Sequence, residues 1–293
     1  MQKRILTSLG VTVGLALVAA ACGNDTVDEG TPQSDDTLPD VDVPGDGDGY
    51  VHPTGADEVV IQYSNVGGFV PREFAFQQTP NLLISGDGEA FSPGAQIEIY
   101  PGPLLPAIQV QSITEAGIQE ILAAADAAGL FADIDYESPT NIADASTAQL
   151  TISVDGETYV HEAYALGLGT PAEAGELLPE RQALAEFLVQ LGDLPTLVGE
   201  ENLGELSLFE AEAYAVESVV VDDLAAYGTE IEPTVVEWPS SASVRLADAS
   251  TCTLVSATDV GSTLQAANQL TFFTDDGITY QVLARPVLPG DTC

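Results

Sequence analysis

The sequence predicts an α+β protein: antiparallel sheets built from Asp-Gly hairpins, with amphipathic helices packed on one face. Three observations carry this. Three stretches share one pattern, an apolar run, an Asp-Gly turn and a second apolar run. Segments with helical periodicity fall between them, each with a single apolar stripe that needs a sheet to cover it. Hydrophobic residues make up 45% of the 293, enough for a proper core.

The first hairpin, within about 58–100, runs through Leu82–Ser85 into Gly86-Asp87-Gly88. The second, over 148–166, turns at Asp155-Gly156, and the third, over 269–285, at Asp275-Asp276-Gly277. Asp-Gly between apolar runs signals a hairpin because tight primed turns need positive φ at their centre. Between the first two lies SITEAGIQEILAAADAAG, which places Ile118, Ile121, Leu122 and Ala125 on one face. Ser112 with Glu115 would form its capping box, and Gly129 suits its C-terminal end. A second helix, LPERQALAEFLVQLG, aligns Leu184, Phe187, Leu188 and Leu191, with Pro179 at its start and Gly192 after it. A third, SATDVGSTLQAAN, has Ser256 and Asp259 as capping residues. Strands are expected over 212–221 and 235–238, and 193–211 reads as irregular. Hairpins followed by helices point away from a doubly wound parallel sheet. The folded region spans 50–293, either continuous or divided into 50–200 and 206–293.

Ahead of it stand two segments of different character. Met1 to Arg4 is a short positive stretch, followed by 16 uncharged residues, ILTSLGVTVGLALVAA. A membrane span needs about 20, so the run suits the core of an export signal. Small residues Ala19, Ala20 and Ala21 then lead to Cys22. This order resembles the lipobox of bacterial lipoproteins, with Ala19 standing where that family prefers Leu or Val. The resemblance implies a signal peptide at 1–21, cleavage before Cys22 and a thioether-linked diacylglycerol, with fatty acid such as palmitate, on Cys22. The expected location is therefore the extracytoplasmic face of the cell membrane, with the membrane as a partner through that lipid. Residues 22–49 hold nine acids and no base. They cannot bury enough apolar surface to offset the cost of ordering, so a disordered acidic tether is expected. Asp46-Gly-Asp48-Gly within it lacks the later Glu of a calcium loop.

Charge excludes several partners. Six basic residues face 46 acids. Lys3 and Arg4 belong to the leader, so the mature chain keeps Arg72, Arg181, Arg245 and Arg285, and 4 − 46 = −42. A polyanion does not neutralise phosphates, so nucleic acid is not a partner. Of the three cysteines, Cys22 carries the lipid. Cys252 and Cys293, outside the cytoplasm, pair as one disulfide.

Catalytic constellations are lacking. Two histidines, His52 and His161, do not make a His-rich zinc site. His161-Glu162 has no second His and falls in a predicted strand, where one ring nitrogen would meet solvent. No G-x-S-x-G elbow occurs, and no cysteine remains for thiol chemistry. The segment from Gly167 through Gly169 to Ala172 matches G-x-G-x-x-A. The nucleotide reading of it needs a parallel βαβ unit, and Thr170 with Glu173 offers a capping box instead. No cofactor and no metal are expected. Tyr100-Pro-Gly-Pro-Leu-Leu-Pro106 is rigid and apolar, and the need to bury Leu104 and Leu105 favours a connector over a recognition loop.

Residues 59–192 resemble emfourin-type modules, small α+β inhibitors of secreted metalloproteases. The shared features are Gly67-Gly68-Phe69 after a first strand, a helix of the type Ile121-Leu122-Ala-Ala-Ala125, a strand pair around 150–159 and a closing helix ending near Leu191. The stretch is under half of the chain, and no inhibitory residue carries over. It implies an interaction loop at Gly67, Gly68 and Phe69 and a protein partner. Two functions follow: a membrane-anchored, non-catalytic interaction protein, or an anchored hydrolase with an acidic, metal-assisted site. The first is expected. A flat apolar patch beside Gly67-Gly68-Phe69 would favour it, whereas three or more carboxylates converging in one pocket would favour the second.

Overall fold

The computed structural model describes residues 49–167, 178–227 and 230–293. The fold is α+β, with two mostly antiparallel sheets, each with its own core. β1 (Val59–Gly67), β2 (Leu82–Ser85), β3 (Glu89–Pro93), β4 (Ile108–Ser112), β5 (Ser146–Val154), β6 (Glu157–Tyr164) and β7 (Ser207–Leu208) form one sheet. Its order is β6-β5-β1-β2-β3-β4-β7, with every pairing antiparallel. β8 (Ala213–Val220), β9 (Thr234–Glu237), β10 (Thr253–Ser256), β11 (Thr271–Asp275) and β12 (Ile278–Pro286) form the other, in the order β10-β8-β12-β11-β9.

All three expected hairpins are present. Asp155 (φ 53°) with Gly156 (φ 79°), and Asp276 (φ 51°) with Gly277 (φ 79°), have the paired left-handed residues of a type I′ turn. The turn between β2 and β3 is longer, and only Gly88 has positive φ there. Asp275, assigned to the third turn from sequence, is instead the last residue of β11 and is buried. One pairing departs from antiparallel: β9 runs parallel to β11, Thr234 opposite Thr271. Parallel neighbours need a long crossover, and 238–270, with a helix inside it, supplies one.

Helices α2 (Glu115–Ala127), α3 (Pro179–Leu191) and α4 (Leu194–Val198) share one core with the first sheet. β5 alternates towards it with Ala148, Leu150, Ile152 and Val154, and α2 and α3 meet it with the apolar residues their periodicity marks. Each fully buried Leu or Ile there contributes about 1.5–3 kcal/mol. The cap of α2 is Thr114, whose hydroxyl accepts from Gly117 N at 3.2 Å, not Ser112. Ser112 is held in β4 opposite Glu89. The 193–211 stretch is less irregular than its sequence suggests, since α4 sits in it, capped by Asp193. In the second sheet α5 (Ala257–Gln265) is capped by Ser256, while Asp259 accepts instead from Ser243 N. Its Val260 and Leu264 join Trp238, Phe273 and Val282.

The Pro-rich segment connects the two parts. Leu104 is buried in the second core and Pro103 bridges to Asn268, while Tyr100 is exposed. In return Leu288, after β12, packs with Leu83, Phe91 and Ile108 of the first sheet. α1 (Arg72–Gln77) lies between them against β12 and buries none of its residues.

Candidate functional site

β1 ends at Gly67 (φ 73°) and is followed by Gly68 (φ 85°), both left-handed, a backbone that other residues adopt only with strain. They turn the chain so that Phe69 N donates to Asp144 O at 3.4 Å, leaving the Phe69 side chain 90% exposed. Val70 and Phe74 are exposed nearby in sequence, at 37% and 57%. Three contacts hold the short helix that carries Phe74. Arg72 pairs with Glu217 of β8, and Gln77 Nε2 donates to Leu104 O at 2.6 Å and, more weakly, to Ala284 O at 3.4 Å. The aromatic side chains are thus displayed on a fixed frame. The loop expected from sequence is exposed, and α1, which sequence reasoning missed, extends it. Phe74, two residues after Arg72, was the available signal.

Behind α1 lies a cavity of about 530 Å³ between the two sheets. Gln62 and Ser64 of β1 and Gln149 of β5 form its floor, Gln78 lies at the end of α1, and Pro286 to Cys293 form a wall. The charged groups on it are paired: Glu217 with Arg72, and Arg285 with Asp291. Arg285 also lies over the Phe76 ring, 5.7 Å from its centre. The wall is fixed by the disulfide Cys252–Cys293, Cα to Cα 5.1 Å.

The histidines are structural in their contacts. His161 lies on β6 as expected, but neither nitrogen meets solvent. Nδ1 is 3.0 Å from Tyr136 Oη and Nε2 is 2.9 Å from Leu130 O. The strand turns this position onto the covered face of the sheet, and the ring is fully buried. Burial lowers its pKa, against smaller opposing effects of the Leu130 carbonyl and Asp133. Burial, with Glu180 nearby, pushes the Tyr136 hydroxyl up to about 12. His52 has a side chain only 4% exposed, bonded to Pro53 O and Glu115.

A pH prediction follows from His161. Its folded pKa lies below its unfolded value of about 6.5, so folding favours the neutral ring. That stability is present above about pH 6.5 and is lost as pH falls below it. Urea unfolding of the parent and His161→Asn between pH 7.5 and 5.5 should show the parent losing up to about 1.4 kcal/mol per pH unit relative to the variant. Parallel pH profiles would contradict this.

Among the described residues no group of three or more His, Cys, Asp or Glu is placed to hold a metal ion. No described helix is long and apolar enough to cross a membrane. Cys22, Asp46-Gly-Asp48, and Thr170 with Glu173 lie outside the described residues, as do Gly169 and Ala172. No family model matches the chain, and neither a curated protein nor a solved structure matches it.

Proposed function

We propose that the protein is a lipid-anchored, extracytoplasmic interaction protein that engages a protein partner through Phe69, Val70 and Phe74. The observation that carries this is the exposure of three large apolar side chains within six residues, on a loop and helix held by Arg72, Gln77 and Gly67-Gly68. Solvent gives no reason to display them, whereas an apolar pocket on a partner does. Glu73 of α1 is an exposed acid beside them and the chain is strongly acidic, so the matching surface is apolar with a basic rim. The likeness of 59–192 to protease-inhibitor modules makes a secreted metalloprotease the first probe.

Two expected results test the two parts. Cys22→Ser should abolish incorporation of labelled fatty acid and leave the leader uncleaved. A serine variant that still takes up label would defeat the anchor. With the protein on liposomes, protease capture and inhibition should weaken at least tenfold on Phe69→Ser, about 1.4 kcal/mol, and fall further with Phe74→Ser. Unchanged capture by both variants, or none by the parent, defeats the patch.

A further inference from the structure

We infer that the cavity between the sheets is a second binding site, separate from the Phe69 surface, and that it takes an uncharged, polyhydroxylated ligand, a neutral saccharide. Its position and size are those of a ligand site: between two packed sheets, within the range of about 300–1,000 Å³ typical of such pockets. The chemistry of its walls selects the ligand. Gln62 and Ser64 alternate along β1 on the face opposite Ile61 and Tyr63, and Gln149 stands directly across from Ser64. On a sheet face turned to water such residues are ordinary. Here the second sheet, α1 and the C-terminal segment stand around them, leaving Ser64 buried and Gln62 and Gln149 half-buried.

Carboxamides and hydroxyls offer both donors and acceptors, as the hydroxyls of a sugar require, and Gln149, which donates one N–H to Glu162 at 2.7 Å, keeps its carbonyl oxygen and second N–H. The charged side chains that line the site are paired with one another or with a neighbour. Glu217 is occupied by Arg72 and Arg285 by Asp291, so neither a carboxylate nor an ammonium group on a ligand finds a free counter-charge. The acidic chain also repels anions. A peptide is disfavoured because β1 is paired on both sides, with β2 and β5, and lends no free edge for main-chain bonding. Val66 supplies apolar surface for the C–H face of a ring, backed by the buried Leu83 and Leu288.

The test uses the full chain in detergent on an array of neutral and acidic glycans, with calorimetry on the hits and on uncharged peptides. Expected is micromolar to millimolar binding of neutral saccharides. Gln149→Met, on the floor, and Gln78→Ala, on the opposite wall, should each weaken it at least tenfold without moving the melting temperature. Gln78 lies outside any strand or helix, so its variant decides the matter if Gln149→Met disturbs the sheet. Phe69→Ser should leave saccharide binding unchanged, which separates this site from the protein-binding surface. The inference is overturned by no glycan binding, by preference for acidic glycans or peptides, or by binding that survives Gln78→Ala.

Discussion

Replacing Cys252 and Cys293 by serine is expected to lower stability by about 4 kcal/mol, the chain-entropy cost of a loop with a sequence separation of 41. At about 2–4 °C per kcal/mol for a domain of this size, the melting temperature should fall by roughly 8–16 °C. The effect falls mainly on the unfolded chain. The C-terminal segment is also placed by Arg285–Asp291 and by Leu288, and Gly290 passes so close to β1 that an added Cβ would lie 2.6 Å from Val59 Cγ2. These contacts keep the segment near its seat once the covalent link is gone, so the folded state survives the substitution. Calorimetry of the double-serine variant beside the parent measures it. A melting temperature within 3 °C of the parent, or free thiols in extracellularly prepared parent, would contradict the expectation.

Arg245→Met should cost about 2–3 kcal/mol. Asp275, at the end of β11, is 5% exposed and accepts from Leu246 N at 2.8 Å and from Arg245. Removing the guanidinium leaves a buried carboxylate with a backbone amide and no counter-charge. Breaking a fully buried pair costs about 3–5 kcal/mol, and the part-exposure of Arg245 places this one at the lower end. Asp276, 3.0 Å from Arg245 but largely exposed, loses little. Neutralising the stranded acid should recover most of the loss, so Arg245→Met/Asp275→Asn should be more stable than Arg245→Met alone. Denaturant unfolding of both variants checks this. A loss below about 0.5 kcal/mol for Arg245→Met would show that water reaches Asp275.

What the sequence revealed was local in origin. The Asp155-Gly156 and Asp276-Gly277 turns need only their own backbone angles, and the apolar stripes of α2 and α3 need only a repeat of 3.6 residues. Long-range arrangement was hidden. Ser112 has the chemistry of a cap, but pairing with β3 takes it and passes the role to Thr114. β9 looks like any short strand, and only its partner decides that it runs parallel. α1 and α4 have six and five residues, too few to show a period. The candidate sites divide the same way. Gly67-Gly68-Phe69 stands out as a turn followed by an aromatic residue. The cavity does not, because Gln62, Ser64 and Gln149 have the pattern of a solvent-facing sheet, and only the fold brings the second sheet beside it.

The four arginines of the folded region bear on how copies of the protein meet. Arg72, Arg245 and Arg285 are committed to acids of their own fold, and Arg181 is buried, donating to the carbonyls of Glu137 and Tyr164. A neighbouring copy therefore meets carboxylates without a cation to offer in exchange, and head-to-tail attraction between copies has no charge to work with. Held in one plane by the proposed lipid anchor, such molecules would space themselves apart. The separation they keep is governed by the Debye length, about 10 Å at 0.1 M salt and about 3 Å at 1 M, so how densely they crowd a surface is set by the ionic strength of the medium around them.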